Sequence, residues 1–312
     1  MFSGQTMGTT YTVKIRGMPE DVMLTSLRGG IAQILERINS RMSTYREDSE
    51  LSIFNRSKST DWMKASPETI RVMDEALRIS ALTNGAFDIT VAPLVNMWGF
   101  GPEPQTIEIP SQDIIQKRLT SVGYQHLHIQ TSPPAIRKDQ PNLQIDLSAI
   151  AKGYAVDQVA EYLESLNIPH YLVEIGGELR GKGHNSTELP WKVAIEKPAP
   201  GERTIHRVLY LQSHAMATSG DYRNFFEKNG ERFSHTINPQ TGKPVTHQLA
   251  SVTVVRASCM EADALATGLM VLGPEEGYKL AVQEKIPVLF VSRTPKGFKE
   301  TMTPELEPFL RS

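Results

Sequence analysis

The stretch from Ile145 to Asp157 (IDLSAIAKGYAVD) changes hydrophobic period in its middle, and that change restricts what the chain can build around it. Before it, Leu143, Ile145 and Leu147 alternate with Gln144 and Asp146, the period-2 pattern of a strand. After it, Tyr154, Val156, Val159 and Leu163 recur at helical spacing. The pattern predicts a strand running directly into a helix. Such a junction aims backbone N–H groups and a partial positive charge at whatever precedes the helix, and here Asp146 and Lys152 bracket the turn with opposite charges. A phosphate seat is one reading. An ordinary structural turn is the other, and pattern alone favours the turn. Lys152 carries its own argument, because a cation at a helix start is poorly placed unless an anion lies nearby.

A second stretch, far off in sequence, adds chemistry. Ser258 stands three residues before Glu261, a capping box that predicts a helix start. Asp263 and Thr267 then fall one turn apart on one face, among Ala262, Ala264, Ala266 and Gly268. A carboxylate and a hydroxyl so placed offer two hard oxygen ligands. The alternative is a helix packed tightly through small residues, with Asp263 merely solvated.

The remaining pattern mixes strands and helices without regular alternation. Strands are expected at Tyr11–Ile15, His126–Gln130, Ala135–Lys138, Tyr171–Ile175, Trp191–Glu196, Arg207–Leu211, Leu249–Val255 and Val288–Val291. Helices are expected over Leu27–Met42 despite Gly29-Gly30, from Ser66-Pro67 to Asn84-Gly85, over Ser111–Val122, and around Glu275–Gln283. Loops are expected at Gly99–Pro110, with Gly101, Pro102 and Pro104, at Ala217–Arg223 and at Phe233–Gly242. Gly176-Gly177 reads as a bulge or tight turn, and neither a dinucleotide nor a P-loop glycine signature is present. His126 and His128 alternate on one strand face with no carboxylate close in sequence, so they read as surface histidines. The fold class is α+β rather than a doubly wound parallel sheet.

With 312 residues the chain is long enough for a large core. A net charge of −2 gives no electrostatic footprint for nucleic acid. No run approaches the roughly 18 apolar residues of a membrane span, so the chain reads as soluble and globular. Cys259 is the only cysteine, which rules out an intramolecular disulfide. Met1-Phe2-Ser3-Gly4-Gln5 has neither a basic region nor an apolar one, so no signal peptide is read there.

The segments Asp146–Ala155 and Ala262–Thr267 resemble the signature segments of the ApbE-type flavin transferases, which move FMN from FAD onto a protein threonine. Met7-Gly8-Thr9, Met42-Ser43-Thr44-Tyr45, Gly85–Thr90, Gly176-Gly177-Glu178 and His235–Pro239 follow the same family order. The resemblance covers nearly the whole chain and implies a single ApbE-like domain over residues 1–312. Its fold would be two intertwined, T-fold-like α/β subdomains around a flavin-binding cleft.

The resemblance further implies Mg2+ held by Asp263, Thr267 and the main-chain carbonyl of Ala149. FAD, as substrate, would meet Met7, Tyr45, Ala86, Phe87, Asp88, Asp146, Lys152 and Ile237, with Tyr45 over a ring. His235 is the expected general base, histidine being the residue type that titrates nearest neutrality, with Asp88, Asp146 or the metal itself as rivals. Some relatives carry a second acidic residue before the helix threonine, where this chain has Ala266. The acceptor would be a threonine-bearing subunit of a redox pump or electron-transfer flavoprotein. Family members are commonly exported and lipid-anchored, which implies the periplasmic side of the inner membrane. Two other functions use the same cleft: an FAD pyrophosphatase giving FMN and AMP, and a non-catalytic flavin carrier. The paired Asp263 and Thr267 speak against the carrier.

Overall fold

The structure is a computed structural model and describes residues 1–102, 108–198, 204–221, 225–228 and 230–310. Its frame is an eight-stranded sheet in the order Phe2–Thr6, Thr9–Arg16, His170–Ile175, Glu178–Lys182, Ser213–Gly220, Leu249–Arg256, Val288–Thr294, Gly297–Met302. Every neighbouring pair in it is antiparallel, as an α+β reading requires. Seven α-helices are described: α1 Leu24–Met42, α2 Glu50–Arg56, α3 Pro67–Leu82, α4 Ala92–Met97, α5 Gln112–Leu119, α6 Ala151–Ser165 and α7 Cys259–Gln283.

The strands are apolar almost throughout because both faces of the sheet are covered. On one face α6 and α7 pack directly on the sheet, with α1 behind α6 and α3 against α7. Tyr171, Val173 and Ile175 point into that core, together with Val252, Val254 and Phe290. Their immediate neighbours in sequence, Leu172, Val255, Leu289 and Val291, point the other way. There they meet the hairpin Trp191–Glu196/Ile205–Leu211 and the 3-10 turn Pro304–Leu310, through Trp191, Ile195, Leu209 and Leu306. No helix among the described residues is long and apolar enough to cross a membrane.

Most expected elements form, and the differences have physical causes. Residues Leu143–Leu147 are not a strand. They run extended with Leu143, Ile145 and Leu147 fully buried, but the backbone of Ile145 bonds the Asn55 side chain (N–H to Oδ1 2.7 Å, Nδ2 to carbonyl 2.8 Å). Asp146 N–H goes to the Ile89 carbonyl at 2.8 Å. An extended chain buried on one side alternates with period 2 whether or not a strand partner exists, so the pattern was right about burial and wrong about pairing.

Ala217–Gly220, expected in a loop, complete the strand Ser213–Gly220 against Ser251–Val254. Phe2–Thr6 and Gly297–Met302 are strands that the pattern did not reveal. His126 ends a 3-10 turn instead of opening a strand. The carboxylate that the two histidines lack in sequence is supplied in space by Asp139, 2.8 Å from His128 Nε2 and 3.9 Å from His126 Nδ1. Among the described residues no three His, Cys, Asp or Glu side chains form a metal cluster.

The helix expected around Glu275 is the far part of α7, set off by a kink where Gly273 takes φ 83° before Pro274. Gly30 does not break α1: a Cβ there would fall 2.2 Å from the Tyr162 hydroxyl, so the glycine lets α1 lie close to α6. Pro104, Tyr222 and Arg223 lie outside the described residues.

Candidate active site

Among the described residues the helices and the sheet leave a large cleft of about 1180 Å³. All twelve residues singled out from the sequence line it: Met7, Tyr45, Ala86, Phe87, Asp88, Asp146, Ala149, Lys152, His235, Ile237, Asp263 and Thr267. They arrive from six or more separate segments, so their convergence belongs to the fold and not to any local motif.

The base of the cleft is built where α6 crosses α7. A Cβ on Gly153 would lie 2.3 Å from the Cys259 carbonyl oxygen and 2.9 Å from Asp263 Cβ, so only glycine permits this approach. The closeness lets the Gly153 N–H, one of the unpaired donors of a helix start, reach Asp263 Oδ2 at 3.0 Å. One turn along α6, buried Asp157 caps the start of α7. It accepts from Cys259 N–H (3.0 Å), Met260 N–H (3.0 Å) and Ser258 Oγ (2.7 Å), and pairs with Arg180 Nη1 (2.9 Å). Ser258 Oγ also receives the Glu261 N–H at 3.3 Å, the cap expected from sequence. Two rungs therefore fix the register of α7 against α6, and with it the place of Asp263.

Lys152 lies between two carboxylates. Its Nζ is 3.2 Å from Glu178 Oε1 and 3.7 Å from Asp263 Oδ2, and it donates to the Ser148 carbonyl at 3.3 Å. Burial alone would lower the affinity of this amine for its proton, but Asp263 and then Glu178 outweigh that, so the ammonium is strongly held. Burial raises the Glu178 and Asp263 carboxyls, with Lys152 opposing in both cases. Glu178 is the residue that sequence reasoning missed. The run Gly176-Gly177-Glu178 is read from sequence as a glycine turn and as one segment of the family order, with no role given to the carboxylate that opens the strand.

The other lining groups have distinct surroundings. Met7 (φ 49°) and Gly8 (φ 71°) form the two-residue turn of the first hairpin, where both positions need left-handed backbone. A methionine there costs roughly 1 kcal/mol, strain of the kind that collects at ligand sites. Ala86 and Phe87 are buried, at 5% and 2% exposure, so what they present to the cleft is chiefly backbone. Asp88 is committed within its own loop: Oδ1 accepts from Thr90 N–H (2.8 Å) and Thr90 Oγ1 (2.7 Å), Oδ2 from Tyr124 N–H (2.9 Å). Burial raises its carboxyl and these bonds oppose the rise. Asp146 Oδ1 accepts from Ser148 N–H at 2.8 Å, tightening the turn that leads to Ala149 and Lys152. His235 meets the Phe100 ring edge-on at 6.3 Å between centroids. Tyr45 stands at the rim, 74% exposed.

Asp263, Thr267 and the Ala149 carbonyl make a sparse oxygen donor set, of the kind that suits a hard cation keeping most of its positions for water and ligand oxygens. The recorded protein contacts of Asp263 fall on Oδ2, and Thr267 stands one turn further along α7 on the same cleft wall. The donor chemistry fits Mg2+.

A model of the ApbE family matches residues 7–290. The chain is 48% identical to a FAD:protein FMN transferase of Vibrio cholerae over 99% of its own length and 92% of that protein. It is 42% identical to the FAD:protein FMN transferase of Escherichia coli, over 100% and 89% respectively. Among solved structures, the flavin transferase ApbE from Vibrio cholerae superposes with a TM-score of 0.92 at 47% identity, covering 99% of this chain and 98% of that one. The apo flavinyl transferase ApbE of Pseudomonas stutzeri gives 0.91 at 39% identity, covering 100% and 96%. Cleft, fold and full-length similarity agree, and the chain belongs to the ApbE family.

Proposed function

We propose that this chain transfers FMN from FAD to the hydroxyl of a threonine in an acceptor protein and releases AMP. The observation that carries the reading is the base of the cleft, where a buried ammonium, a helix start and an oxygen donor set meet, in a cleft that His235 also lines. In the reaction the threonine oxygen forms a bond to the FMN-side phosphorus of the diphosphate. The P–O bond to AMP breaks, and the hydroxyl proton passes to His235.

Lys152, beside the carbonyl of Ser148 at the start of α6, holds the diphosphate by its charge. Asp146 fixes the turn before it, and Met7 and Tyr45 line the cleft where, on family grounds, the rings would lie. Asp88 is engaged by three donors and is a poor candidate for the base, which favours His235. When bound at Asp263, Thr267 and the Ala149 carbonyl, Mg2+ supplies neutralisation of phosphate charge. The proposed acceptor is a subunit of a redox pump or electron-transfer flavoprotein, and the proposed location is the periplasmic face of the inner membrane, both on family grounds.

The exposure of Tyr45 favours a second reaction beside the first. Tyr45 is bulky but 74% exposed, so it screens the cleft from water only in part, and FAD hydrolysis to FMN and AMP competes with transfer in this reading. Incubation with FAD, Mg2+ and a threonine-bearing acceptor tests both, with acceptor mass read by mass spectrometry and free FMN by chromatography. An acceptor that gains the mass of FMN at threonine supports transfer; free FMN alone, with unmodified acceptor, refutes it.

A further inference from the structure

We propose that Glu178 is a positioning residue that holds the Lys152 ammonium away from Asp263 and so keeps the Asp263 carboxylate open to a divalent cation. The inference rests on the reading of Asp263 as a cation ligand. Three elements meet at one ammonium: Lys152 from the start of α6, Asp263 from α7, and Glu178 from the first residue of the strand Glu178–Lys182. The ammonium lies nearer Glu178 Oε1 (3.2 Å) than Asp263 Oδ2 (3.7 Å). Glu178 is 4% exposed, and its Oε2 has no hydrogen-bond partner among the described residues. Lys152 is the one hydrogen-bonding or ionic side-chain partner recorded for that buried carboxylate, apart from its own strand end.

A lysine beside a cation ligand is a competitor, since ammonium and cation seek the same oxygens and repel each other. With Glu178 present, the arrival of a cation at Asp263 costs Lys152 only its longer contact, and the ammonium keeps a carboxylate. Without the Glu178 charge, Asp263 is the remaining carboxylate for Lys152, and the cation must displace it. The geometry of the Gly176-Gly177 turn supports a dedicated seat: a Cβ on Gly176 would come within 3.4 Å of both Glu178 Oε2 and Lys152 Cδ.

The test is Mn2+ binding, followed by electron paramagnetic resonance without FAD, in wild type, Glu178→Gln, Lys152→Gln and the double variant, each checked for folding by thermal melting. Glu178→Gln is expected to weaken Mn2+ binding about tenfold, an ordinary size for coupling between sites. In the Lys152→Gln background the same change is expected to alter it less than about twofold, because the competitor is gone. Unchanged Mn2+ affinity in Glu178→Gln overturns the proposal. A tenfold loss that persists in the Lys152→Gln background also overturns it, by making Glu178 a direct ligand. Wild type that binds no Mn2+ without FAD moves the same comparison to saturating FAD, and no binding there sinks the underlying reading of Asp263 instead. If Glu178→Gln alone fails to fold, Glu178→Asp in both lysine backgrounds makes the same comparison.

Discussion

Replacing Gly153 by alanine sets two physical effects against each other at the base of the cleft. Alanine in a helix is favoured over glycine by about 1 kcal/mol. The added Cβ, however, would stand 2.3 Å from the Cys259 carbonyl oxygen and 2.7 Å from its carbon, where ordinary contact begins at 3.4 Å. These are backbone atoms at the start of α7 and have no rotamer by which to step aside, so α7 must withdraw by about 1 Å. Overpacking of this kind costs about 1–3 kcal/mol. Losing one of the charge-assisted bonds from Asp157 to the start of α7 adds about 1.5–3 kcal/mol. Sterics win, with a net loss of about 1.5–5 kcal/mol, read as a lower urea midpoint at unchanged slope. Asp263 moves with α7, so single-turnover transfer falls by about 10²-fold as well, the usual consequence of an ångström of misplacement. A Gly153→Ala protein as stable as wild type and equally active would refute the tight crossing of α6 and α7.

Other expected outcomes follow from single groups. Asp263→Asn lowers transfer by about 10²–10³-fold with the fold retained, and full transfer by wild type in excess chelator would count against the cation reading. Tyr45→Asn raises the ratio of FAD hydrolysis to transfer, and an unchanged ratio moves the water shield elsewhere. For His235→Gln at saturating FAD, the rise of single-turnover rate with pH near neutrality disappears; its persistence at full rate transfers the base role to a carboxylate. Lys138 is fully buried, its Nζ donating to the Leu143 carbonyl (2.9 Å) and the Phe54 carbonyl (3.3 Å), and burial first, Lys58 second, push its pKa down to about 8. The unfolded chain keeps that proton to about pH 10.4, so wild type gains stability between pH 8 and 10.4 relative to Lys138→Met, and equal slopes in urea unfolding would contradict this.

What could be read from the sequence was whatever local periodicity or capping records. α6 was visible because Val156, Val159 and Leu163 share a buried face, and the start of α7 because Ser258 caps it. The segment before α6 was misread because burial of Leu143, Ile145 and Leu147 says nothing about which group takes the backbone bonds, and Asn55 is 90 residues away. Glycines posed the same problem. Gly30 counts against a helix by propensity and Gly153 carries no local signal, and their purpose appears only with Tyr162 and Cys259 beside them. The cap that Asp157 provides spans more than a hundred residues, to Cys259 and Met260, and no spacing rule reaches so far. Ala149 entered by family likeness alone, since a main-chain ligand leaves no trace in side-chain identity.

The charge of the cleft argues most directly for a cation among its working parts. Among the described lining residues, Asp88, Asp146, Glu174, Glu178, Glu196 and Asp263 are acidic, whereas Arg46 and Lys152 are the permanent cations. Arg46 is already tied to Glu36 and Asp48. At the base, one ammonium faces two carboxylates, and even with one of these protonated the group is neutral rather than positive. A diphosphate brought to such a surface is repelled or at best tolerated, although the start of α6 offers some compensation. A divalent ion at Asp263 reverses the balance, because two carboxylates, one ammonium and two added charges sum to a net positive seat. Directly before Thr267 on α7 there is no second carboxylate, since Ala266 stands there, buried at 1% exposure and packed in the core. Glu178 brings negative charge from the sheet instead, attached to the lysine and not to the helix, so an ion held at Asp263, as proposed, would be shared with phosphate and bind most tightly with FAD present.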